Sequence, residues 1–174
     1  MRQKKYEDFA YVLDVFPASQ FRSRAPGIIV HRDEFIVQLL GEEFFTLLEA
    51  AVPKDHKPVI GSRIYIGKDV PRSVLRILRR INYDDLTVNA RANLENAVRK
   101  IVEENEERFI TFFNKSTPIT PRMHALELIP GVGKKIAMKI ISEREEKPFE
   151  SFEDLKKRIG LQDPIKAIVQ RILE

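Results

Sequence analysis

Apolar positions in the first eighty or so residues come in short runs broken by turn residues. Ala10-Tyr11-Val12-Leu13-Asp14-Val15-Phe16 reads as a strand ended by Pro17, and Ile28-Ile29-Val30 as another after the turn signal Pro26-Gly27. The runs 35–40 and 44–49 predict two more, separated by Gly41-Glu42-Glu43. Beyond the polar stretch 54–58, Arg63-Ile64-Tyr65-Ile66 alternates polar and apolar before Gly67, as a half-buried strand does. Four or five short antiparallel strands predict a small barrel, with the OB fold as the first expectation.

After Asp69 the period changes. Pro71 suits a first helical turn, and Val74, Ile77, Leu78 and Ile81 form an i, i+3, i+4, i+7 stripe that predicts a helix. A second helix is predicted from Leu86-Thr87, with Ala90, Leu94, Ala97, Val98, Ile101 and Val102 as its apolar face. Phe109, Ile110, Phe112 and Phe113 extend that helical core, and 114–118 closes it. The acidic run 103–107 reads as a solvated surface. A weak repeat follows: Leu126, Gly131 and Val132 recur 29 residues later as Leu155, Gly160 and Leu161, with Ile136 matching Ile165 and Ile140 matching Val169. Each half reads helix, tight glycine turn, helix, and two such hairpins can bury a shared face that neither buries alone. The expected architecture is α+β: an OB-like barrel with a trailing basic helix over 1–82, a helical connector over 83–117, and an all-α pair of hairpins over 118–174.

The segment Leu126-Glu127-Leu128-Ile129-Pro130-Gly131-Val132-Gly133-Lys134-Lys135 has a chemical logic. Pro130 stops a helix, Gly131 and Gly133 permit positive φ and a close backbone approach, and Val132 can pack inward and pin the turn. A helix that starts at once leaves its first N–H groups and positive dipole end outward, and Lys134 and Lys135 add full charges there. Such a turn is an anion site, suited to a phosphodiester backbone, and it reads no base edge. The competing reading is a plain tight turn with solvated lysines. In the second hairpin Gln162 replaces the second glycine and Asp163 aligns with Lys134, so Asp163 reads as an N-cap with Pro164 at the first helical position. That hairpin is expected to be structural.

Composition narrows the classes. With 43% apolar and 32% charged residues the chain can form a soluble core, and no apolar run reaches the length a bilayer needs. The N-terminus lacks the features of a signal peptide, and the absence of cysteine excludes disulfides and thiolate metal sites; a cytoplasmic setting is expected. Net charge is +4, distributed as 14 basic and 10 acidic residues over 1–82, 5 and 7 over 83–117, and 11 and 9 over 118–174, so a polyanion would meet the ends rather than the middle.

The hairpin segment resembles the helix-hairpin-helix motif of many DNA and RNA proteins, and with Phe149-Glu150-Ser151-Phe152-Glu153-Asp154-Leu155 following, 118–174 resembles its paired form. The resemblance implies phosphate contacts at Gly131, Val132, Gly133, Lys134 and Lys135, in some members through a monovalent cation on hairpin carbonyls; no other cofactor is implied. The chain as a whole resembles an archaeal family of unknown function described as predicted RNA-binding proteins. The matching phrases are Tyr11-Val12-Leu13-Asp14, Arg63-Ile64-Tyr65-Ile66-Gly67, Arg108-Phe109, Phe112-Phe113-Asn114 and Ile119-Thr120-Pro121-Arg122-Met123-His124. That resemblance implies a barrel-like domain joined to paired hairpins, and no reaction.

Secondary candidates follow from strand and helix periodicity. Arg63 and Tyr65 share a strand face, where a tyrosine can stack a base and an arginine can hold its phosphate. Arg72, Arg76 and Arg80 repeat at i+4 on the predicted basic helix, either as a phosphate track or as a solvated face. His31, His56 and His124 are too scattered for a metal site, and Asp84-Asp85 reads as helix-start chemistry. Asp154 is the nearest match to the catalytic aspartate of base-excision glycosylases, which the hairpin phrase also resembles. The expectation is non-enzymatic nucleic-acid binding, RNA more than DNA. The rival is a protein-interaction module in transcription or translation machinery.

Overall fold

A computed structural model describes residues 6–21 and 27–174; Pro26, half of the expected turn signal, lies outside them. The chain divides between Ala97 and Val98 into two compact units.

The first unit is an antiparallel sheet of five strands: β1 (Phe9–Pro17), β2 (Glu34–Gly41), β3 (Leu47–Pro53), β4 (Arg63–Tyr65) and β5 (Arg76–Arg80), in the order β4-β1-β2-β3-β5. Its apolar face gathers Ala10, Val12, Val37, Leu39, Ala50 and Val52 into one core. The edges β4 and β5 do not pair among the described residues, so the sheet is open and the expected closed barrel does not form. With three residues, β4 offers too short a ladder for closure.

Three other expectations change. Residues 28–30 carry no ladder bonds; the chain runs there as coil, and Ile29 is exposed while its carbonyl accepts from Arg76. The strand expected from Phe44 starts at Leu47. The buried carboxylate of Glu7 draws in the amides of Glu43, Phe44 and Thr46 at 2.9–3.1 Å, which holds that stretch as a turn with Phe45 at φ 55°. The third change is the largest. The helix expected over 71–81 is a turn followed by β5. Pairing with β3 overrides the helical spacing: Arg79 meets Glu49 of β3 at 2.6 Å, Arg76 reaches Glu34 of β2 at 2.8 Å, and Ile77 in the expected buried stripe is exposed.

Helix α1 (Val88–Glu104) begins where the pattern puts it. The Thr87 hydroxyl accepts from the Ala90 amide as a cap, and all six residues of the expected apolar face are buried. Asp84 and Asp85 lie in a 3-10 turn ahead of it, with the Asp85 carboxylate accepting from the Asn82 amide.

The second unit holds the rest of α1, then α2 (Glu106–Lys115) after a break at Asn105 inside the acidic run. Ile110 and Phe113 are buried, whereas Phe109 and Phe112 are half-buried. A small hairpin, β6 (Pro118–Thr120) and β7 (Met123–His124), leads into α3 (Lys134–Glu146), α4 (Phe152–Ile159) and α5 (Pro164–Leu173). The 29-residue repeat has a structural counterpart. Leu126 and Leu155 are both fully buried, as are Ile140 and Val169, and Gly131 and Gly160 sit at φ 87° and 83°. No helix among the described residues is long and apolar enough to cross a membrane.

Candidate nucleic-acid interface

The first hairpin is built on a 3-10 turn, Ala125–Leu128, where the sequence predicts a helix. His124 fixes its start: Nδ1 accepts from the Leu126 amide at 3.0 Å, and the Glu127 carboxylate accepts from the His124 amide at 2.7 Å. The chain then turns through Pro130-Gly131, closed by the Val132 amide donating to the Ile129 carbonyl at 3.0 Å, with Val132 buried beneath. Only Gly131 uses positive φ. Gly133 is extended (φ −89°, ψ −172°), so the expectation of positive φ there is corrected. A Cβ placed on Gly133 would meet nothing within 4 Å, so no packing contact among the described residues requires glycine at that position.

Gly133 is the N-cap residue of α3, and the first helical bond runs from the Ala137 amide to the Gly133 carbonyl at 2.9 Å. The amides of Lys134, Lys135 and Ile136 precede that bond and have no helical carbonyl to use. Both lysines are exposed, and no acid occupies the first turn. A cation at the positive end of a helix costs about 0.3–1 kcal/mol. The two lysines therefore sit where they do not help the helix.

The second hairpin shows the opposite chemistry. Gly160 ends α4 in the left-handed region, and Asp163 caps α5, its carboxylate accepting from the Lys166 amide at 2.9 Å with Pro164 following. Sequence alignment sets Asp163 opposite Lys134, but by position on the helix its counterpart is the cap residue Gly133. The second turn is one residue longer. Arg158 further ties this hairpin down, donating to the carbonyls of Glu143 (2.6 Å) in the last turn of α3 and Lys147 (2.7 Å) at its C-cap, and lying over the Phe149 ring at 4.4 Å. Asp154 belongs to the same arrangement. The Glu150 amide, and then Arg158 by hydrogen bond and charge, hold its carboxyl below the ordinary carboxylate range.

In the first unit Arg63 and Tyr65 come together around Phe9. The Arg63 guanidinium lies 3.6 Å from the Phe9 ring centroid and grips Glu42 with two bonds of 3.0 and 2.9 Å. Tyr65 meets Phe9 edge-on at 5.3 Å and is 41% exposed. Partial desolvation, then the charges of Asp69 and Asp8, raise its phenol above the ordinary range. A Cβ at Gly67 would stand 2.3 Å from the Tyr65 hydroxyl, so glycine there makes room for the ring.

The arginine stripe does not form. Arg72 lies in the turn before β5, Arg76 is engaged by Glu34 and the Ile29 carbonyl, and Arg80 ends the strand. No group of three or more His, Cys, Asp or Glu side chains among the described residues is placed to hold a metal. Sequence reasoning passed over a buried polar set, Asp14, Gln38 and Glu49. Its signal was one polar residue isolated in each of three apolar runs.

Comparison with known proteins gives consistent matches. The uncharacterized protein MJ0038 of Methanocaldococcus jannaschii is 42% identical over 172 residues, covering 98% of this chain and 75% of that protein. The crystal structure of Af1531 from Archaeoglobus fulgidus superposes with a TM-score of 0.81 at 45% identity, over 96% of this chain and 92% of that one. The model of the family described as protein of unknown function DUF655 matches residues 6–174, and the chain belongs to that family.

Proposed function

We propose that this protein binds nucleic acid without sequence preference at its phosphates, and single-stranded RNA in preference to duplex DNA. The observation that carries the reading is the start of α3. Two exposed lysines and three amides ahead of the first helical bond stand beside a glycine whose missing side chain leaves open space. A phosphate oxygen can approach that backbone closely, accept from the amides and be neutralised by either lysine. The Phe9–Tyr65 edge with Arg63 supplies an aromatic surface for an unpaired base, which a duplex hides. The first unit fits this role as a partly open form of an OB-like barrel, since only a β4–β5 pair would be needed to close its ring. The second unit fits it as a paired helix-hairpin-helix domain in which one hairpin contacts phosphate and the other holds the pair together.

The test is fluorescence anisotropy of a labelled single-stranded RNA over a salt series. Micromolar-range binding is expected, with log K falling against log salt by about 0.7 for each phosphate neutralised. Absence of binding at low salt, or binding indifferent to salt, would favour a protein partner on the hairpin surface instead.

A further inference from the structure

The face of the first unit's sheet opposite the apolar core carries a polar row that phosphate binding does not use. Asp14 on β1, Gln38 on β2, Glu49 on β3 and Arg79 on β5 are successive in-register neighbours across four strands. Asp14 is 5% exposed, Gln38 1% and Glu49 3%. Two bulges build this row. The ladder skips Leu13 on β1 and Leu78 on β5. In a regular strand Asp14 would share the face of Val12 and enter the core; the extra residue turns it to the face of Gln38. Likewise Arg79 stands opposite Glu49 although Ile77 stands opposite Ala50.

Stability alone is a weak reason for this arrangement, because burying carboxylates costs at least as much as their pairing returns, and apolar residues would serve as well. The row is nonetheless firmly held. Gln38 Nε2 donates to Glu49 at 2.9 Å and to the Asp85 carbonyl at 3.0 Å, and its Oε1 accepts from the Thr87 amide at 2.9 Å. The Thr87 hydroxyl donates to Asp14. Arg79 spends only Nε on Glu49, and its two Nη groups make no hydrogen bond to any described residue. Asp14, Gln38, Glu49 and Arg79 all line a cavity of about 630 Å³, rimmed by Gln20, Phe21 and Asn89, and the Arg79 guanidinium lies 5.8 Å from the Phe21 ring centroid. That volume is in the range small-ligand sites occupy.

We infer that this cavity receives an unpaired nucleobase carrying an exocyclic amino group, as adenine, guanine and cytosine do. Each oxygen of Asp14 and Glu49 already accepts one hydrogen bond and keeps a second lone pair for an amino group, and the Arg79 Nη donors beside them suit the neighbouring ring acceptor. Phe21 and the Arg79 plane offer stacking surfaces. A phosphate does not suit the site, since the carboxylates of Asp14 and Glu49 outnumber the Arg79 guanidinium there. Uracil suits it less well, because its single N–H offers the two carboxylates one donor where an exocyclic amino group offers two. The class of ligand rests on the nucleic-acid reading above and adds what the phosphate turn lacks, a contact that distinguishes bases.

The experiment is an NMR titration of the full chain with adenosine, guanosine, cytidine and uridine, and separately with spermidine. Saturable shifts are expected at the Gln20, Arg79 and Asn89 amides with an amino-bearing nucleoside, at least about tenfold tighter than with uridine. Phe21→Ala should weaken that binding roughly five- to hundredfold; Gln20→Ala takes its place if the melting temperature of Phe21→Ala falls. The inference is overturned if no amino-bearing nucleoside shifts these amides, if uridine binds equally, or if spermidine produces the same shifts. Single-stranded RNA binding that persists while nucleosides leave the cavity unmoved would remove this inference and spare the phosphate reading. Nucleoside binding without RNA binding would do the reverse.

Discussion

The two hairpins of the second unit share a repeat, a left-handed glycine and matching buried residues, yet their second helices begin in opposite ways. α3 starts on a glycine cap with two lysines in its first turn; α5 starts on an aspartate cap followed by proline. The aspartate already occupies what an anion would bind, since its carboxylate takes the Lys166 amide and offsets the helix dipole. Proline removes another amide from the same end. The first hairpin forgoes all of this. One copy gives up side-chain capping while the other has it, and under the proposed phosphate reading this is a division of labour: the capped copy supplies stability and the uncapped one receives the ligand.

The sharpest way to break that comparison is to damage the closed copy. Arg158→Ala removes the donor to the carbonyls of Glu143 and Lys147 and the partner of Asp154. With its side chain only 18% exposed, the loss should cost about 3 kcal/mol of stability, read by chemical denaturation, with binding intact at temperatures where the protein is folded. Next in size is conversion of the open copy into the closed one. Gly133→Asp meets no steric obstacle and supplies a cap, so stability, followed by thermal melt, should hold or rise by about a few tenths of a kcal/mol. RNA affinity should nevertheless fall by about tenfold or more, because a carboxylate then takes the amides and repels phosphate. Unchanged affinity would mean that α3 does not receive a phosphate.

Legibility in the sequence depended on whether local signals decide structure. Helix α1 and the caps at Asp163 and Asp85 follow from short-range spacing and capping chemistry, and both were readable. The segment 74–81 was not, because a helical spacing of apolar residues also fits a short strand once Glu34 and Glu49 on distant strands pair with Arg76 and Arg79. Barrel closure depends on whether two edges meet, which no local pattern states. Residue type offers two reasons for glycine at 133, positive φ and close approach, and does not choose between them; the extended backbone there leaves access as the reason. No alternating pattern marks the polar row, because bulges, invisible to strict alternation, decide which face Asp14 and Arg79 take.

A smaller effect is expected at the charge that the open copy presents. Lys135→Ala removes one exposed cation from the start of α3 and inserts a good helix former. Stability should stay level or rise by about 0.3–1 kcal/mol, since the lysine opposes the dipole. Binding should weaken alike for all RNA sequences, and the salt slope should shrink by about 0.7, one phosphate's share. Weakened binding with an unaltered slope would assign Lys135 some role other than neutralising phosphate.

The smallest effect is expected at Asp163, and its sign matters more than its size. Asp163→Asn keeps an oxygen that can accept from the Lys166 amide, so the cap survives and stability should change by less than about 0.5 kcal/mol. The substitution also removes a negative charge from the second hairpin. If that hairpin only supports the first, RNA affinity should hold or improve slightly, with the gain confined to low salt where exposed charges act at a distance. A loss of affinity equal to that of Lys135→Ala would instead make Asp163 part of the ligand contact. Both copies would then bind, and the division of labour inferred from their helix starts would be wrong.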